Sequence, residues 1–126
     1  MAAGNYDITI DQGSDFKLTL VIKDGDTPRV LTDFNARGHL RESYDTAKHW
    51  EFDFSDTDFT ASNTTGTIIM KLAHNATHVT GGQGGTTLAE GNYVYDVELF
   101  KGTAPSETEV ERILQGKVKV TREVTR

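Results

Sequence analysis

A chain of 126 residues with 13 basic and 19 acidic side chains carries a formal charge of −6, which argues against a phosphate-backbone reader, since that needs a basic face. The absence of cysteine removes disulfides, thiolate zinc sites and cysteine nucleophiles together. No apolar run approaches the roughly 20 residues of a membrane-spanning helix, and Met1-Ala2-Ala3-Gly4-Asn5 has neither the basic start nor the apolar stretch of a signal peptide.

A quarter of the residues are Thr, Val or Ile, the β-branched types that fit a pleated sheet and lose rotamer freedom in a helix. Period-2 alternation then recurs along the chain. Tyr6, Ile8 and Ile10 mark a first strand that stops at Asp11-Gln12-Gly13. Phe16, Leu18, Leu20 and Ile22 mark a second, ending at Asp24-Gly25-Asp26, a hairpin signal. Val30 and Leu31 read as a short return strand, followed by Thr32-Asp33-Phe34. Next, Ala36, Gly38 and Leu40 share one face while Arg37, His39 and Arg41 share the other. Trp50, Phe52 and Phe54 alternate in one strand, and Ile68, Met70 and Leu72 in the next.

The stretch 73–79 predicts at most one short helical turn, because Asn75, Thr77 and Val79 are weak helix formers. Gly81-Gly82-Gln83-Gly84-Gly85 reads as a surface loop. A long strand covers 93–100, and two last strands, Val110 to Leu114 and Val118 to Val124, are joined at Gln115-Gly116. Seven to nine short strands at this spacing predict an all-β sandwich in one domain over residues 1–126. Turning the apolar faces inward gives a predicted core of Phe16, Leu18, Leu20, Leu40, Trp50, Phe52, Ile68, Met70, Tyr95, Val97, Val118 and Val120.

Chemistry-bearing patterns are sparse. His74 and His78 have the i,i+4 spacing of a zinc pair, but Asn75 stands where a zinc-protease helix has glutamate, and no third ligand lies nearby. Asp53, Asp56 and Asp58, with Glu51, make an acidic turn that lacks the EF-hand pattern. Asn63-Thr64-Thr65 and Asn75-Ala76-Thr77 match the glycosylation sequon, as Thr-rich sequence does by chance. The glycine patch lacks the Lys-Ser/Thr ending of a phosphate loop. Ser14, Ser43, Ser55, Ser62 and Ser106 have no nucleophile-elbow context. No catalytic residue, metal or cofactor is expected. Trp50, Phe52 and Phe54 read as core before they read as a sugar-binding strip. Arg37, His39 and Arg41 are the candidate interface residues, with cross-strand pairing to Asp96 or Glu98 as the simpler reading.

The opening Tyr6-Asp7-Ile8-Thr9-Ile10-Asp11-Gln12-Gly13-Ser14-Asp15-Phe16-Lys17-Leu18-Thr19-Leu20 resembles a tailed-phage domain with a Gln-Gly-Ser/Ala-x-Phe/Trp start. A middle of the type Leu31-Thr32-Asp33-Phe34-Asn35-Ala36-Arg37-Gly38-His39-Leu40-Arg41 follows in such proteins. The segments 91–99, 114–120 and 123–126 resemble its closing half. The resemblance spans nearly the whole chain and is to the Ig-like N-terminal domain of phage baseplate upper proteins and to small virion proteins of that type. It implies an Ig-like sandwich acting as a multi-copy attachment or adaptor protein of the tail or baseplate. Its expected partners are other virion proteins, not nucleic acid or membrane, and its expected location is the virion, assembled in the host cytoplasm. A capsid decoration or neck protein and a carbohydrate-binding module are the alternatives.

Overall fold

The computed structural model describes residues 4–60, 65–77, 87–102 and 106–122. Among them there is no helix, and ten strands, several of only two residues, form an all-β sandwich. The larger sheet runs through β10 (Glu109–Thr121), β9 (Gly91–Lys101), β6 (Asn35–Arg41) and β7 (His49–Glu51). Along the other side of β10 lie β1 (Gly4–Asn5) and β2 (Ile8–Asp11), both parallel to it. The second sheet pairs β3 (Phe16–Val21) with β8 (Thr67–Leu72). A hairpin of β4 (Lys23–Asp24) and β5 (Thr27–Pro28) turns at Gly25, whose φ is 64°.

Alternation puts the core where the sequence pattern places it. Leu40, Ile68, Met70 and Val97 are fully buried, and Trp50, Tyr95, Val118 and Val120 nearly so. Phe52 and Phe54 are buried as well, so the three alternating aromatics form no exposed strip. Phe16, Leu18 and Leu20 depart from expectation: they are only partly buried. Among the described residues β8 is the one strand paired with β3, and none of them pairs with its opposite edge.

Several sequence boundaries move for identifiable reasons. Val30 and Leu31 make no strand; Val30 is exposed while Leu31 and Phe34 are buried, joined by a turn in which Phe34 N–H donates to the Leu31 carbonyl at 3.0 Å. Trp50 to Phe54 is not one strand. After Glu51 the chain crosses between sheets: Phe52 N–H donates to Gly38 O at 3.0 Å, and Asp53 and Lys71 exchange backbone hydrogen bonds of 2.8 and 2.9 Å. Gly38 makes room, since a Cβ there would lie 3.1 Å from Phe52 Cδ2 and 3.0 Å from Asp96 O. The helical turn expected over 73–79 is absent from its described part, which holds a single turn closed by Ala76 N–H on Ala73 O. The Asp15 carboxylate takes both the His74 N–H, at 2.9 Å, and its ring Nδ1, at 2.7 Å. Such side-chain competition for backbone donors opposes helix. His78, Val79, the Gly81–Gly85 patch, the sequon at Asn63, Ser62 and residues 123–126 lie outside the described residues.

The last two expected strands are one. β10 runs unbroken through Gln115-Gly116, and a bulge between Arg112 and Leu114 explains why it reads as two. The extra residue, buried Ile113, shifts the inward phase from odd to even positions, ending in Val118 and Val120. Gly116 is required by close approach: a Cβ would sit 2.2 Å from Tyr6 O, where the amino-terminal segment crosses between β1 and β2. Tyr6 itself is half exposed rather than inward. Its carbonyl accepts the Tyr95 hydroxyl hydrogen bond, and Asp7 Oδ1 accepts the Lys117 N–H at 2.9 Å.

Two measurements check this packing. Leu40→Ala should lower unfolding free energy by about 2–5 kcal/mol, and Leu20→Ala on the half-covered β3 by clearly less, both read by urea denaturation. Burial raises the Tyr95 pKa from 10.0 to about 12. Its contribution is therefore complete below pH 10 and is lost as pH rises toward about 12, because the unfolded chain gives up this proton first. A spectrophotometric alkaline titration should show a tyrosine transition at about pH 12 that disappears in Tyr95→Phe.

Candidate functional site

The outward face of β10, β9, β6 and β7 gathers the charged residues that alternation excludes from the core. Cross-strand register sets them in rows. Arg112, Glu98 and Arg37 stand opposite one another on successive strands; beside them stand Gln115, Asp96, His39 and Glu51; then Lys117, Val94, Arg41 and His49. Opposed side chains on one face of an antiparallel pair are close enough to interact, so charge order along each row decides what forms.

Arg37 is held from two sides. Its Nε donates to Glu98 and its Nη1 to Glu107, each at 2.8 Å, and its guanidinium lies 4.7 Å above the Phe100 ring. Hydrogen bonding from Arg37 holds the Glu107 carboxyl below its ordinary pKa. Glu107 and then Glu98 raise the arginine in return. Arg41 is used differently: Nη1 donates to the Thr46 and Ala47 carbonyls at 2.6 and 3.3 Å, and Nη2 lies 3.3 Å from His39 Nδ1. It closes the connection between β6 and β7. Arg112 pairs with Asp96 at 3.3 Å. Between Arg41, Tyr44, Asp96 and Arg112 lies a depression of about 380 Å³.

The three candidate interface residues therefore share one face, as expected, and each has a partner within the chain. The cross-strand pairing to Glu98 is present for Arg37. His39 is opposite Asp96 in register, yet its ring stacks on that of His49 at a centroid distance of 4.1 Å. Burial first, then charge on His49 and on Arg41, lowers the His39 pKa.

The acidic turn is engaged locally. Asp53 Oδ1 accepts the Ser55 N–H at 2.8 Å, Asp56 pairs with Lys71 at 2.6 Å, and Asp58 Oδ1 accepts the N–H and hydroxyl of Thr60. Among the described residues, the one group of three metal-ligating side chains is His39, His49 and Glu51. Sequence spacing points to His74 and His78 instead; the observed trio spans two strands and is legible only once their register is known. Its one sequence signal is that His49 and Glu51 flank inward Trp50 and so share the outward face.

A comparison with protein-family models finds none that matches, and a search of curated proteins likewise returns no match.

Replacing Arg37 by Met should cost about 1 kcal/mol, the scale of two partly exposed ion pairs and a ring contact. Arg37→Glu should cost more, because the new carboxylate meets Glu98 and Glu107. Urea melts of the two variants check the order, and a neutral replacement is thus the cleaner probe of any intermolecular role.

Proposed function

We propose that the protein is a structural component of a tailed-phage virion, a multi-copy tail or baseplate attachment or adaptor protein of Ig-like type acting through protein–protein contacts. The observation that carries this reading is the edge of β3 that no described residue pairs with. Three apolar side chains, Phe16, Leu18 and Leu20, remain partly exposed on a strand with one paired edge among the described residues, and Val21, on its opposite face, is exposed. An open strand with apolar side chains favours pairing with another chain. In a symmetric particle each modest contact is repeated at every copy, so small interfaces suffice.

The resemblance over nearly the whole chain supplies the particle, and the charge of −6 favours protein over nucleic-acid partners. A carbohydrate-binding reading loses its main support, because Trp50, Phe52 and Phe54 are buried.

The test is incorporation of Thr19→Glu combined with Val21→Glu, two outward positions on β3, into particles, read beside the melting curve of the isolated domain. The folded double variant should fail to incorporate. Absence of the wild-type protein from purified virions overturns the proposal. Recovery with heads rather than tails moves it to the capsid-decoration or neck alternative.

A further inference from the structure

We propose that His39, His49 and Glu51 form a binding site for a zinc-type transition-metal dication on the outer face of the β6–β7 pair. The placement follows from register. His39 stands directly opposite Glu51, and His49 lies two residues before Glu51 on the same face, opposite Arg41. Opposed and diagonal neighbours in an antiparallel pair lie within reach of long and aromatic side chains.

Distances agree with a shared ion. One oxygen, Glu51 Oε1, lies 3.7 Å from His39 Nε2 and 3.6 Å from His49 Nε2. Tetrahedral coordination with bonds of about 2.0–2.2 Å places ligand atoms roughly 3.3–3.5 Å apart. A contraction of a few tenths of an ångström is needed, and the rings, stacked with planes 21° apart, must turn out of that stack for their in-plane lone pairs to meet at one ion. The Glu51 side chain is 59% exposed, so it adjusts at little cost. Two imidazoles and a carboxylate suit zinc, cobalt, nickel or copper rather than magnesium or calcium, and solvent fills the remaining position.

The two histidines are not equally prepared. His49 Nδ1 lies 2.9 Å from the Ala47 carbonyl, which can only accept, so Nδ1 carries the proton and Nε2 presents its lone pair. This is the usual support of a metal-bound histidine. His39 Nδ1 faces Arg41 Nη2 at 3.3 Å, which can only donate, so the neutral ring carries its proton on Nε2. Metal binding at Nε2 moves that proton to Nδ1 and ends the Arg41 contact, while Arg41 Nη1 keeps its bond to the Thr46 carbonyl. Arg41 thus opposes the ion twice, through its charge and through the histidine tautomer it selects. Bound metal would fasten the three-residue edge strand β7 to β6 and stabilise the folded chain by linkage.

The test uses the full chain without a histidine tag, titrated with Co²⁺ at neutral pH, followed by Zn²⁺ competition and by melting curves with Zn²⁺. The expected results are low-symmetry cobalt absorption bands, their loss on adding zinc, and a rise in Tm with zinc concentration. Glu51→Gln, at an exposed position, should weaken binding about tenfold or more, as should His49→Ala. Arg41→Met should tighten it, and His74→Ala should leave it unchanged. A wild-type chain with neither cobalt bands nor a zinc-dependent Tm overturns the site. So does binding that is equally strong in both Glu51→Gln and His49→Ala.

Discussion

Inward burial of alternate side chains along β9 is the constraint from which the rest of the molecule follows. Tyr93, Tyr95, Val97 and Leu99 form one continuous buried row, and a central strand so loaded must be flanked on both edges and covered on one face. β6 and β10 supply the edges, and Leu40, Val118 and Val120 extend the buried surface sideways. Cover comes from β8, whose Ile68 and Met70 are fully buried, and from Phe52 as the chain crosses between sheets. Two glycines make the close passages possible: Gly38 under Phe52 and Gly116 under Tyr6. In both, backbone or ring occupies the space a side chain would need.

The outer face follows from the same alternation with the sign reversed. Charged side chains excluded from the core on β9 and β6 collect there beside Val94 and Phe100, and the strand register brings Glu98 to Arg37 and Asp96 to His39. Partly exposed ion pairs contribute little to stability individually, so the rows do more to select register than to hold the sandwich together. Shifting β6 by one residue would place Arg37 and His39 in the core. The close approach of His39 and His49 is a by-product of that register which carries chemistry of its own, because two imidazoles beside a carboxylate form a donor set wherever they meet.

The two sheets are unequal in extent, and that inequality gives the docking reading its physical basis. Two strands cover the inner face of a much wider sheet, and β3 bears its apolar row with one edge paired. Its partial exposure is a property of topology rather than of composition: Phe16, Leu18 and Leu20 alternate as cleanly as Ile68, Met70 and Leu72, yet the latter are buried on a strand paired with β3 and bridged at Lys71 to Asp53.

Local sequence was sufficient for what depends on a period of two. The all-β class, the inward identity of Leu40, Trp50, Ile68, Met70, Tyr95, Val97, Val118 and Val120, and the common face of Arg37, His39 and Arg41 are all written in alternation, since neighbouring side chains on a strand must point oppositely. Which strand lies beside which is not periodic information. The bulge at Ile113, the sheet crossing at Phe52, the half-covered β3 and the meeting of His39 with His49 and Glu51 each depend on contacts between segments far apart along the chain or on the register of two strands. Such contacts are selected by the packing of the whole sandwich, so the tertiary structure alone decided them.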